Sequence, residues 1–361
     1  MSTSVGLYGV SGASTILSKA IGDITERQTQ VSWEASEGTI SETIAGLDDN
    51  TESALSLSPR ISEISSLSSN ITVAQSRLSL TSSAYSSMAS LAQNLAAAAL
   101  SMESTEGSSR SAVDANATTA SADLSTLGGI LNTSDENGYI FSGINSTEKT
   151  VTYPDGLATS NLATKINSIV SGLTSSNAET ILSEATDAAA DNSDSLTVFS
   201  ASLSVPAEDA GSMGVSIVTG IDGQTTQIGA VATQGSQKTS DSTGSPVRDL
   251  IRDMMIMSSM KGMSYSTPGF TEIASQLQKS LTKTANSLID AGTSTGVLQD
   301  QLTSKQSNLT NVQNLLESQM DMMVGANMAE AATQASDLKT QLEASFTLIS
   351  HMKDMTLANY I

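Results

Sequence analysis

The chain has 361 residues, 37 acidic side chains against 16 basic ones, no cysteine, one histidine and 3% aromatic residues. Absence of cysteine excludes disulfide scaffolds, thiolate metal sites and cysteine nucleophiles, and a single histidine excludes sites built from two or more. A net charge of −21 opposes a nucleic-acid backbone, which calls for Lys and Arg, and no apolar run approaches the roughly 20 residues of a membrane span.

Low aromatic content with abundant Ser and Thr fits either disorder or long helices, and the periodicity of apolar residues separates the two. The first 18 residues carry no Lys or Arg and no apolar core of a signal peptide, so no cleaved secretory leader is expected. Leu17, Ile24 and Val31 are spaced by sevens and predict a short amphipathic helix ending near Trp33. Asp48–Asp49 lacks the alternating acidic positions of a calcium loop and is not read as a metal site.

Pro59 stands where proline can open a helix, just before Ile61–Glu103. Within that segment Ile64, Ile71, Leu78, Tyr85, Ala92 and Ala99 form one seven-residue register. Leu67, Ala74, Thr81, Met88, Leu95 and Met102 form a second, three residues on. Together they make a sustained a/d seam.

Between about residues 132 and 246 the helical period fades. Gly138–Gly143 reads as a short strand, and Tyr153–Gly156 as a turn. A helix is expected over Asn161–Ala190, and half-buried strands over Leu196–Val205 and Met213–Thr219. Ile221–Gln224 would close a hairpin with a run near Thr225–Val231, and Gln234–Ser245 has the composition of a linker. Met254, Met255, Met257, Met260 and Met263 follow Pro246, as core packing of a short helix or as a subunit contact.

Heptads return near the end. Leu281, Leu288, Leu302, Leu309, Leu316 and Met323 share a register, with Thr295 in the gap. A weaker companion runs through Leu277, Thr284, Ala291, Leu298, Lys305 and Val312, and Gly292 and Gly296 predict a local defect at 291–296. Leu338, Leu342, Ile349 and Met352 predict a last amphipathic helix, with Phe346 inside it and Tyr360 beyond.

These patterns predict a mainly α fold with a β or mixed α/β insert. Its frame is a long antiparallel coiled-coil rod of N- and C-terminal helices, and a middle domain projects from it. Residues 1–45 and 325–361 would be a terminal assembly region, 46–145 and 247–324 a helical rod domain, and 146–246 an exposed middle domain. Ile64, Leu67, Ile71, Leu78, Met88, Leu95, Leu302, Leu309 and Leu316 are the expected core of the rod. The terminal helices are too short to be stable alone in water. Leu17, Ile24, Val31, Trp33, Leu338, Leu342, Phe346, Ile349, Met352 and Tyr360 are therefore expected to meet neighbouring subunits. No catalytic, cofactor-binding or metal-binding residue is expected; His351 reads as a surface or interface side chain.

The tail carries a resemblance. Ala329–Thr333, Leu338–Ser345 and the closing Leu357–Ala358–Asn359–Tyr360–Ile361 resemble the C-terminus of the bacterial flagellin superfamily, and most of all its hook–filament junction members. Asp48–Ala54 is similar to the family's acidic box, with Asn50 where proline is usual. Tyr139–Gly143 resembles its Tyr-x-Phe-x-Gly strand, and Thr295–Leu302 its Gly-aliphatic segment. The resemblance implies a structural, non-enzymatic, extracellular subunit of the flagellum, without cofactors. Its partners would be a hook-side junction protein, flagellin, copies of itself in a ring, and an export chaperone on the C-terminal region. The filament subunit itself is the nearest alternative; a secreted adhesin or fibre protein is the alternative of another class.

Overall fold

Two long helices carry much of the chain. The computed structural model describes residues 8–104 and 107–358. The helices are α1 (Tyr8–Glu37), α2 (Thr51–Met102), α3 (Arg110–Leu131), α4 (Asn161–Val170), α5 (Ala178–Ala190), α6 (Ala207–Ala210), α7 (Pro246–Ser259), α8 (Phe270–Val324) and α9 (Met328–Ala358). Strands β1 (Ser134–Asp135) and β2 (Gly138–Tyr139) form one antiparallel ladder, and β3 (Ser216–Val218) and β4 (Thr225–Gln227) another. The contacts divide the chain into two units, Met1–Ser66 with Leu309–Ile361, and Leu67–Asn308.

In α2, Ile64, Leu67, Ile71 and Ala74 are buried on the expected heptad positions, and Ala54 and Leu57 are buried ahead of them. From Arg77 onward Ala84, Ala89 and Ala96 join Leu78, Tyr85, Met88 and Leu95, so the buried stripe widens. That is the change from a narrow apolar stripe to a wider, core-facing one. On the serine-rich outer face the hydroxyls of Ser66, Thr72, Ser76, Ser87 and Ser90 each donate to the carbonyl four residues back, which satisfies them within the helix, and burial of the opposite face holds α2 helical.

In the second unit α2 and α8 are antiparallel neighbours. Gln75 Nε2 donates to Thr303 Oγ1 at 3.1 Å, and Gln306 Nε2 donates to Ser68 Oγ. Farther along, Gly292 lies beside Tyr85, where an added Cβ would be in ordinary contact with the tyrosine Cβ at 3.5 Å. α3, α4 and α5 pack on α7, and one buried cluster unites them with α2 and α8.

α7 is buried almost throughout, including its charges. Arg252 bonds Asp253 at 2.8 Å, Asp249 at 3.1 Å, Thr186 at 2.8 Å and Ser280 at 2.6 Å. Ser280 in turn donates to Asp253 Oδ2 at 2.6 Å. Burial works against the guanidinium charge, but Asp253 and Asp249 hold the Arg252 pKa above its ordinary value. Arg248 donates to Asn192 Oδ1 at 2.7 Å and lies 5.4 Å from the centre of the Phe199 ring; burial pushes its pKa down to about 10. The methionines Met254, Met255, Met257 and Met260 are core residues.

Several local expectations change. The helix expected after Pro59 begins at Thr51, so Pro59 lies inside α2. Interior proline costs about 3 kcal/mol through a lost hydrogen bond and a clash; burial of Ala54 and Leu57 holds the added turns in place. No break occurs at 291–296: α8 is continuous through both glycines. The single helix expected over 161–190 is two, because Asn177 folds the chain back, accepting from Thr174 N at 2.6 Å and donating to Gly172 O at 3.0 Å. The strand expected over 196–205 is a lone bridge, Val151 to Phe199, followed by a 3-10 turn at Ala201–Leu203. There Ser200, Ser202 and Ser204 bond locally and compete with a ladder. The 138–143 strand shortens to β2, clamped by Arg77, which grips Asp135 at 2.9 Å and Tyr139 O at 2.7 Å. The hairpin between β3 and β4 forms where expected.

Candidate assembly interface

α1 and α9 pack along one another. Half-buried Leu17, Ile24 and Gln28 lead to buried Val31 on α1, and buried Ala331 is followed by half-buried Ala335, Leu338, Leu342, Ser345 and Ile349 on α9. The three-four spacing of both sets is that of a two-helix seam.

The pair is closed at one end by backbone. α1 stops at Gly38, whose φ of +72° suits only glycine without strain. Ile40 N donates to Val324 O at 2.7 Å, and Ala326 N donates to Gly38 O at 2.8 Å. These bonds flank an antiparallel bridge of Thr39 with Gly325. Thus the reversal after α1 is joined to the reversal between α8 and α9, and the C-terminal end of α1 meets the N-terminal end of α9. Trp33 seals the corner, its indole N–H donating to Thr39 Oγ1 at 3.0 Å. Asn50, just before α2, donates to Met323 O at 3.2 Å.

A two-helix seam covers little apolar surface. Ile16 is 73% exposed, Phe346 55% and Leu348 54%, although none is an isolated site on its helix. The expected interface residues therefore separate into groups. Leu17, Ile24, Val31, Leu338, Leu342 and Ile349 lie in or beside the α1–α9 seam, Trp33 is half-buried in the corner, and Phe346 faces outward. Met352 lies in α9 with its side chain outside the described residues, and Tyr360 is outside them altogether. Sequence periodicity missed Ile16 and Leu348, which neighbour seam residues, and missed the 38–40 to 324–326 bridge, which has no side-chain signature.

Of the expected rod core, Ile64, Leu67, Ile71, Leu78, Met88, Leu95, Leu302 and Leu309 are buried, and Leu316 is half-buried. Lys305, out of place in the companion register, donates to Thr219 Oγ1 at 2.8 Å and so meets the β3–β4 hairpin. Among the described residues no cluster of three or more His, Asp or Glu is arranged for a metal. No described helix is long and apolar enough to cross a membrane. His351 is exposed on α9.

Residues 278–361 match the family model of the bacterial flagellin C-terminal helical region. The matched segment runs from the first turns of α8 through α9, so it includes the α8–α9 reversal and the whole C-terminal half of the seam. The match covers less than a quarter of the chain and supports a relation to the bacterial flagellin family, whose members are structural proteins of the flagellum. No curated protein matches the chain.

Proposed function

We propose that the chain is the subunit joining hook to filament, and that it assembles through the α1–α9 pair. The observation that carries this is the seam itself. Its α9 half lies in the segment that matches the flagellin C-terminal region, and the pair leaves Ile16, Phe346 and Leu348 uncovered. Long apolar side chains in a helix pair of this kind are stabilised by further helices, and copies of the chain in a ring supply them. Leu17, Ile24, Val31, Trp33, Leu338, Leu342, Phe346, Ile349, Met352 and Tyr360 are the proposed contact set. A hook-side junction protein, flagellin and copies of the chain are the neighbours, and an export chaperone covers the C-terminal region before assembly. In this reading residues 1–45 and 325–361 assemble, 46–145 and 247–324 form the rod, and 146–246 face outward. The Gln341–Ser345 segment and the Tyr360–Ile361 ending support the junction member over others.

The filament subunit is the second reading, equally compatible with the family model that matches. Deletion followed by electron microscopy separates them. Loss of the junction subunit leaves complete hooks and sheds flagellin into the medium. Loss of the filament subunit leaves hooks without shed flagellin, and the purified chain then grows long filaments from seeds.

A further inference from the structure

The second unit contains a surface cleft of about 640 Å³ that the assembly reading does not use. One wall is the stretch 152–161, and the other is 194–201. Its volume falls in the range of about 300–1,000 Å³ typical of small-ligand sites.

The lining has a definite chemistry. Leu157 and Phe199 are buried and form an apolar floor. Tyr153 stands on the rim with 76% of its surface exposed, and its hydroxyl has no hydrogen-bond partner among the described residues. Asp194 faces the cleft from the opposite wall, likewise without a partner. Asn161 donates through Nδ2 to Ser195 O at 3.0 Å, which ties the walls together and leaves its Oδ1 as an acceptor. None of the described lining residues is Lys, Arg or His.

The walls are held from behind. Ser160 caps α4 by accepting from Ala163 N at 3.1 Å and donates to Leu157 O at 2.8 Å. Asp191 accepts from Ser193 N at 2.8 Å, and the Ser193 carbonyl accepts from both Leu196 N and Thr197 N. A preformed cleft loses little freedom on binding.

An exposed aromatic face beside paired hydroxyl acceptors, over an apolar floor and without a cation, suits a ligand with apolar C–H faces and many hydroxyls. Missing cations disfavour phosphate and other anions. The polar rim disfavours a purely apolar ligand, whose entry would leave these groups unpaired. We propose that this cleft binds a neutral saccharide of one or two rings, with the Tyr153 ring as stacking platform and Asp194 and Asn161 bonding the sugar hydroxyls. The site is independent of the junction reading and stands or fails without it.

The test is saturation-transfer NMR and calorimetry on the full chain. The probes are maltose, lactose, N,N′-diacetylchitobiose and sialyllactose at up to about 10 mM, tenfold above a 1 mM Kd. At least one neutral disaccharide binds, and sialyllactose binds no better than lactose. Tyr153→Ala weakens binding about tenfold, whereas Tyr153→Phe keeps it within about twofold because the ring remains. Asp194→Ala abolishes it. Both positions are exposed, so unchanged melting confirms that each variant is folded. Three results overturn the proposal: no neutral disaccharide binds, binding survives Tyr153→Ala, or a Ser/Thr-rich peptide displaces the sugar and binds more tightly.

Discussion

Ile40 and Val324 lie 284 positions apart in sequence, yet the amide of the first donates to the carbonyl of the second at 2.7 Å. Each belongs to a chain reversal, one after α1 and one before α9. Together with Ala326 N and Gly38 O they make the α1–α9 pair a closed structural element rather than two loose tails.

Gly38→Ala tests that closure. A Cβ at φ +72° costs about 1–2 kcal/mol, although it would meet Met328 Sδ only in ordinary contact at 3.4 Å. Amide exchange at residues 31–40 and 324–331 should speed up by roughly 5- to 30-fold. Exchange in α7 should not change. Equal rates in both variants would mean that the bridge does not hold the pair.

Leu342→Glu and Ile349→Glu place a charge in the half-buried seam. Unit two keeps its melting transition, while incorporation into flagella and swimming are lost. In the isolated chain, limited proteolysis should cut first within α1 and α9, where few apolar contacts oppose local opening. Normal swimming by either variant rules out the seam as an assembly surface.

Arg252→Met probes the buried charges of α7. It leaves the Asp253 and Asp249 carboxylates without their cation, at a cost of about 3–5 kcal/mol. Urea denaturation followed in the second unit reads this loss directly. Arg252→Met combined with Asp253→Asn should recover part of it, because one uncompensated charge is gone. A loss under 1 kcal/mol in the single variant would contradict the stated role.

Asp241 and Lys283 give a pH signature. The Lys283 ammonium at 2.8 Å, then the Thr239 hydroxyl at 2.7 Å, hold the Asp241 carboxyl down at about 2, below its ordinary 3.8. A depressed carboxylate stabilises the fold above its unfolded pKa, and the contribution is lost as pH falls from 3.8 through 2. Both side chains are more than half exposed, so the pair is worth about 0.5 kcal/mol or less. Asp241→Asn should lower stability by that amount near neutral pH, and the gap from the unmutated chain should close by about pH 2. A gap that persists in acid would place the effect elsewhere.

The long helices were legible because their seams repeat by sevens with little interruption. Lys305 shows the limit of that reading. It looked like a flaw in the companion register, yet its ammonium meets the β3–β4 hairpin, a contact 86 residues distant that no local period encodes. Pro59 shows another: local rules put the helix start there, and burial of Ala54 and Leu57 carried the helix two turns further back. At the interface, Leu338, Leu342 and Ile349 were visible as a stripe, whereas Ile16 and Leu348 emerged only when their neighbours were seen to occupy the seam and leave them outside.

Sequence alone determined that the chain is mainly helical and that it has no thiolate or multi-histidine site, because heptad spacing acts through local period and the absence of cysteine through composition. Only the tertiary structure decided what each seam faces. The same three-four spacing is a full core in α2 beyond Arg77 and a half-covered pair in α1 and α9. The difference is the number of other helices within reach, which depends on contacts between residues hundreds of positions apart.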